Sequence, residues 1–405
     1  VTSLPDDVLF VTHRVPFPPD KGDRIRTYHL LRFLSRHARV HLATLADEPV
    51  SPETLTALAG LCVRAEIVPT GRLAMVGGLR SLLVGRTISE GFFRSSRMRD
   101  VIRSWSAETG FIGAIASASS VAQYLKTRHL DGATRVIDLV DVDSQKWLDY
   151  AAATGAPKKW LYSLEGRRLR KLESSICGWA DAVTLVSERE AAMVREVTGA
   201  TNVHAVTNGV DLDYYRPTPG VHESGCVFVG ALDYLPNVGG IRWFAQTIWP
   251  NIRLKHAEAR LAIVGRKPVA AVKELASIPG VDLIGQVPDV RPYLANAAVA
   301  IAPLRIARGL QNKVLEAMSA GKAVVASSPA LAGFGSREDL PATVANEPAE
   351  WIGAVGRLLD DATERERLGT AGRLYAERHH DWSDCLAPFL KLLRLPSPAI
   401  AGGPA

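Results

Sequence analysis

Short runs of β-branched or apolar residues alternate along the chain with longer segments whose apolar positions recur at helical spacing. That alternation is the signature of parallel βαβ units. In the first half, Val8–Val11 reads as a buried strand. A proline-rich loop (Pro16, Pro18, Pro19) and Lys21-Gly22-Asp23 follow, with Asp23 the expected cap of a helix through Tyr28, Leu31 and Leu34. Further strands are expected at Val40–Thr44, Arg64–Val68, Phe111–Ala116, Arg135–Asp138, Ala182–Val186 and His204–Thr207, with helices over 157–179 and 187–197. The second half repeats the grammar at Cys226–Val229, Leu261–Val264, Val281–Ile284, Val299–Ala302 and Ala323–Ala326. Beyond residue 345 the strand signal stops, and helices near 347–360, 363–379 and 384–394 lead to a loose Pro- and Gly-rich tail. The expected organisation is a first α/β domain over 1–207, a turn-rich linker at 208–220 and a second α/β domain over 221–380. A helix and tail at 381–405 are expected to pack back toward the first domain.

Composition narrows the class. The 405 residues are 47% hydrophobic and 22% charged, enough for two buried cores. The net charge of +6 leans the partners toward anions. It is unevenly placed: residues 1–205 carry 27 Lys and Arg against 22 Asp and Glu, and the remainder 21 against 20. Cys62, Cys177, Cys226 and Cys385 are far apart, which argues against a zinc ribbon, a thioredoxin-type site and a disulfide scaffold. No apolar run reaches the ~18–20 residues of a membrane span. Neither the n-region nor the h-region of a signal peptide is visible, so a cytoplasmic protein is expected.

The densest chemistry lies at Ala302–Gly321. A strand ends, a loop carries Arg305, Arg308 and Gly309, and a helix is expected to open near Leu310. A helix N-terminus offers unpaired N–H groups and partial positive charge, a seat for a diphosphate. Lys313 and Glu316 stand three apart and share a helical face. The carboxylate can accept two hydrogen bonds from a ribose diol while the ammonium neutralises phosphate. The same pair also reads as a plain surface ion pair.

This run resembles the donor-binding motif of the retaining family 4 glycosyltransferases, most closely in Glu316-Ala317-Met318 and Gly321-Lys322-Ala323-Val324-Val325-Ala326. Val264-Gly265, with Arg266 after them, and Gly285-Gln286-Val287 resemble the family's base-recognition turns. Asn208-Gly209-Val210-Asp211 resembles its interdomain sequence. Val15–Arg24, Asp138–Ser144 and Asp233–Asn237 are similar to a bacterial subgroup associated with exopolysaccharide loci and the exosortase sorting system.

The resemblance implies a GT-B fold, two Rossmann-like, doubly wound parallel-sheet α/β domains facing across a cleft. The first would serve the acceptor and the second the nucleotide-sugar donor, with closure assembling the site. The implied reaction moves a hexosyl unit from a nucleoside-diphosphate sugar to a glycan or lipid-linked acceptor, with retention and without cofactor or metal. In that scheme Glu316 holds the donor ribose, while Gly22, Gly309 and Leu310 let the diphosphate approach the backbone. Arg266 and Val287 flank the base. Arg305 and Lys313 neutralise the leaving diphosphate, Arg308 faces the donor, and Asp141 acts on the acceptor side.

The chain also departs from the pattern. The first glutamate of the family's pair falls at Arg308, and the family's Arg and Lys after the first strand of the second domain give way near Ala231 and Asn237. Its usual His is missing around Asp138–Asp143. The lost cations fit either relocation onto Arg305 and Lys313 or weaker donor binding, and Arg308 suits an acidic donor sugar. Asp138, Asp141 and Asp143 have three readings: a metal site, Asp141 orienting the acceptor hydroxyl, or helix caps and solvated loop acids.

Arg72–Arg103 holds seven arginines against Glu90 and Asp100, with Leu82, Leu83, Phe92 and Phe93 interleaved. It fits peripheral contact with the anionic inner face of a membrane, or a solvated face. Nucleic acid is not expected, since no binding module is visible. No Gly-x-Gly-x-x-Gly follows either first strand, which weighs against an oxidoreductase. The alternatives carried forward are a nucleotide-sugar epimerase on the same scaffold and a non-catalytic sugar-nucleotide-binding subunit.

Overall fold

The computed structural model describes residues 6–20, 22–71, 74–152, 154–218, 224–334 and 339–396. The chain forms two compact units: one runs to Val206 and resumes at Leu386, the other spans Thr207–Cys385.

The first unit is built on a seven-stranded sheet of β1 (Asp7–Thr12), β2 (Arg39–Ala46), β3 (Arg64–Pro69), β4 (Gly113–Ser117), β5 (Thr134–Val140), β6 (Ala182–Leu185) and β7 (Val203–Ala205). Their order is β3-β2-β1-β4-β5-β6-β7, and every pairing is parallel. Strands covered on both faces must be apolar throughout, and Val8, Leu9, Phe10 and Val11 are fully buried. The strand order reverses between β1 and β4, so ligand chemistry is expected beyond their carboxyl ends. The returning C-terminal segment buries Phe389, Leu390 and Leu393 in this unit. Gly113 leaves room for it: a Cβ there would lie 3.0 Å from Leu393 Cδ2.

The second unit has six parallel strands, β8 (Cys226–Val229), β9 (Leu261–Val264), β10 (Val281–Gly285), β11 (Val299–Ala302), β12 (Ala323–Ala326) and β13 (Thr343–Val344). The order is β10-β9-β8-β11-β12-β13, with its switch point between β8 and β11. Trp249, Trp351, Phe228 and Phe244 are wholly buried in its core.

Most expected strands lie within two residues of those observed. β13 was not expected, because two residues at a sheet edge carry no period. The helix expected after Asp23 is Gly22–Leu34, which puts Asp23 inside its first turn rather than at the cap. The Asp23 side chain lies outside the described residues, as do Lys21, Arg72, the end of the expected linker and the tail after residue 396.

The start of the expected linker is not slack. Asn208 and Val210 are buried, Val210 bridges to Asp381, and the Asn208 carbonyl lies 2.8 Å from His380 Nδ1. A Cβ on Gly209 would come within 2.7 Å of the Trp382 backbone. The glycine there permits close approach of two backbones, which sequence alone reads as a loop.

Candidate functional site

In the second unit the helix Asn312–Ser319 follows β11 through the loop at the switch point, opening two residues later than the sequence predicts. Its N-cap, Gln311, makes no side-chain bond to the helix, and its amide instead donates to the Arg308 carbonyl at 2.8 Å. The Val314 N–H bonds the Gln311 carbonyl at 2.9 Å, and among the described residues the N–H groups of Asn312 and Lys313 have no partner. Gly309 precedes them at φ 60°, a left-handed turn that favours glycine, and Leu310 is buried in the core.

Lys313 runs from this helix across β8. Its ammonium lies 5.2 Å from the Phe228 ring centre and donates to Asn237 Oδ1 at 2.6 Å. Asn237, on the helix Leu235–Trp243, is held in turn by its Nδ2 donating to the Ala231 carbonyl at 2.8 Å. Ala231 and Asn237 stand near the places where the resemblance expects two cations, and the Lys313 ammonium reaches Asn237. A Cβ on Gly230 would lie 2.9 Å from Asn237 Nδ2 and 3.4 Å from Lys313 Cε, so this glycine keeps the passage open.

Burial pushes the Lys313 ammonium down to about 8, with Glu316 pulling the other way. Glu316 is pushed up to about 7, again by burial, against the lowering effects of Lys313 and a hydrogen bond from Tyr215. The pair is thus drawn toward neutrality at both ends. Tyr215 is fixed from behind, since its carbonyl accepts from Ser319 Oγ at 3.1 Å and from Arg373 Nη1 at 3.4 Å.

The two expected base-recognition turns meet. The Gly265 N–H donates to the Gly285 carbonyl at 2.8 Å, and the Leu232 N–H to the Arg266 carbonyl at 3.0 Å. Gly285 has φ 77°, and Val287 beyond it packs partly buried on the core. Arg266 is thereby tied to the loop after β8. Arg305 lies on the loop after β11. It is exposed, with its guanidinium 5.9 Å from the Trp243 ring centre. Trp243 is about 9 Å along its helix from Asn237, by the helical rise. Arg308 is partly buried just before Gly309.

In the first unit, Gly22 is exposed at the start of its helix, and a Cβ there would meet nothing within 4 Å. Asp138 is neither a cap nor a solvated loop acid. It is fully buried at the end of β5, where Arg26 Nε and Nη2 each donate to it at 2.8 Å and Thr184 Oγ1 at 2.7 Å. Asp143 opens the helix Asp143–Ala152 and pairs with Lys146 at 3.6 Å. Between them Val140 has φ 70°, a conformation that costs a β-branched residue about 1–3 kcal/mol. That turn directs Asp141 N–H onto the Leu139 carbonyl at 2.9 Å. Burial raises the Asp141 carboxyl, with Lys146 opposing. Among the described residues no group of three His, Cys, Asp or Glu is arranged to hold a metal ion.

Residues 223–361 match the family model described as Glycosyl transferases group 1. No curated protein sequence matches the chain. Solved structures resemble it along nearly its whole length. Sucrose-phosphate synthase from Thermosynechococcus elongatus superposes with TM-score 0.72 at 16% identity, covering 96% of this chain and 98% of that one. HepE of Anabaena, solved with UDP and glucose, gives 0.67 at 14%, covering 96% and 100%.

The fold is GT-B.

WaaG, a glycosyltransferase of lipopolysaccharide biosynthesis, is a further GT-B neighbour, with TM-score 0.66 at 14% identity over 95% of this chain and 99% of that one. The group 1 match covers β8 to β13 and contains Lys313, Glu316, Asn237, Arg266 and Val287. Lys313, Glu316, Arg266 and Val287 were singled out from the sequence, whereas Asn237 as the partner of Lys313 and Tyr215 as the partner of Glu316 were not. The signal for Asn237 was the vacancy left by the family's lysine.

Proposed function

We propose that the chain is a retaining glycosyltransferase that takes a hexosyl unit from a nucleoside-diphosphate sugar. The observation that carries this is Lys313 and Glu316 sharing one face of the Asn312–Ser319 helix, beyond the carboxyl end of β11, within the segment that matches the group 1 family. The ammonium and the N–H groups of Asn312 and Lys313 stabilise charge as it develops on the leaving diphosphate. The Glu316 carboxylate accepts the ribose diol, and the turns at Gly265-Arg266 and Gly285–Val287 receive the base. GT-B neighbours solved with UDP or a UDP-sugar support a nucleotide-sugar donor.

The acceptor is a glycan or lipid-linked saccharide of exopolysaccharide or envelope synthesis, met by the first unit in the cytoplasm with peripheral contact to the inner membrane. Asp141, aimed by the strained Val140, orients its hydroxyl, and no metal is required. Arg308, standing where the family has a glutamate, favours one second reading: a non-catalytic subunit that binds the sugar nucleotide. A panel of nucleoside-diphosphate sugars scored by thermal shift tests donor binding, because a ligand of the native state raises its stability. Transfer to an added acceptor then separates the two readings, and no shift with any donor removes both.

A further inference from the structure

The helix Ala74–Leu83 is packed inside out. Its small residues face the protein: Gly78 and Ser81 are buried, and a Cβ on Gly77 or Gly78 would lie 3.0 Å from Gly91 O or Ile88 Cγ2 of the neighbouring helix Ile88–Phe92. Its large apolar residues face outward. Met75 is 61% exposed, Val76 40%, Leu79 55% and Leu83 87%, and Val84 just beyond is 69% exposed. At 100° per residue the four helical positions span an arc of about 100°. A helix on a protein surface ordinarily shows the opposite pattern, and a contiguous apolar face of this kind marks a place where something binds.

Charge says what binds. Residues 67–89 contain three arginines and no acidic residue. Arg80 and Arg86 are exposed and make no ion pair among the described residues, whereas Arg97 and Arg103 of the helix Ser96–Glu108 are paired with Glu66 and Asp100. The helix Lys158–Cys177 contacts the segment that follows this face. Arg168 Nη1 donates to the Arg86 carbonyl at 2.9 Å, and Glu165 accepts from the Ile88 N–H at 2.9 Å, both from the helix Lys158–Cys177. About 12 Å toward the start of that helix, by its rise, stands Trp160, 67% exposed, beside exposed Lys158 and Lys159. Apolar side chains with flanking cations and an interfacial tryptophan match the layered chemistry of an anionic bilayer surface.

We infer that the Ala74–Leu83 helix is a bilayer-docking element that inserts Met75, Val76, Leu79 and Leu83 among the acyl chains of an anionic membrane, with Arg80 and Arg86 at the headgroups. This gives the membrane contact of the proposed function a defined surface. The test needs no donor, so its failure leaves the sugar-nucleotide reading standing.

The full chain is floated with vesicles of phosphatidylcholine alone or with about 30% phosphatidylglycerol. At least tenfold stronger binding to the anionic vesicles is expected, weakening as salt rises. Leu79→Glu with Leu83→Glu should abolish it, leaving the thermal midpoint and donor binding unchanged because both side chains are mostly exposed. Equal binding by the double variant, or no binding to either vesicle, overturns the proposal. A dimer seen by sedimentation velocity and lost in the double variant also overturns it, by assigning the face to a second copy.

Discussion

Replacing Asn237 with leucine tests the hydrogen bond that holds the Lys313 ammonium. Nζ meets Asn237 Oδ1 at 2.6 Å, and burial sets the lysine at about 8 and Glu316 at about 7. The ionised pair suited to a diphosphate and a ribose diol is therefore best populated between those values, the two groups titrating as a coupled pair. Donor affinity should peak near pH ~7.5 and fall about tenfold by pH ~9, one unit beyond the lysine midpoint. A hydrogen bond to a charged group contributes about 1.5–3 kcal/mol, and 1.36 kcal/mol corresponds to about one pKa unit. Removing the acceptor should lower the alkaline midpoint by about one to two units, to roughly pH 6–7. Asn237→Asp should raise it. The assay is calorimetric titration of the full chain, across pH, with the tightest binder of a nucleoside-diphosphate sugar panel. Unchanged thermal midpoints would show that the variants fold. A leucine variant whose profile superimposes on the wild type, or wild-type affinity flat across pH ~6–9, would refute the reasoning.

Two further predictions concern the first unit. Arg26→Met strands the Asp138 carboxylate in a site with no exposure and should cost about 3–5 kcal/mol in urea unfolding, most of it recovered on adding Asp138→Asn. A single variant as stable as the wild type would contradict the pairing. Glu173 accepts from Ser144 N–H at 2.9 Å, and burial pushes its carboxyl up from 4.5 to about 7. The folded state then holds this proton more tightly than the unfolded chain does. The stabilisation is complete below the unfolded value and is lost as pH rises through about 7. Glu173→Gln should gain on the wild type by up to about 3 kcal/mol between acid and pH ~8; a difference independent of pH would count against the buried carboxyl.

The sheets were legible because strands buried on both faces must be continuous short apolar runs, and here turns punctuate them cleanly. The Asn312–Ser319 helix and its Lys313–Glu316 face were legible for the complementary reason, a local spacing of three. Contacts between distant positions left no such trace. Asn237 lies 76 residues from Lys313, and Arg26 lies 112 from Asp138. Asp138 therefore read as a loop acid, although its strand continues to Val140 and encloses it. The segment around Ala74–Leu83 read as basic and amphipathic. Which face points outward is decided by Gly77, Gly78 and Ser81 packing against Gly91 and Ile88, a tertiary fact. Asn208–Asp211 read as linker because irregular backbone and slack backbone share the same residue types.

Whether the Asn312–Ser319 helix receives a sugar nucleotide is measured most directly by calorimetry of the wild type and Glu316→Ala with the nucleoside-diphosphate sugar panel. One donor should bind the wild type, and loss of two hydrogen bonds to a charged acceptor should weaken it by about tenfold or more in the variant. Full donor affinity in Glu316→Ala would contradict the ribose assignment, and silence across the panel would contradict the site.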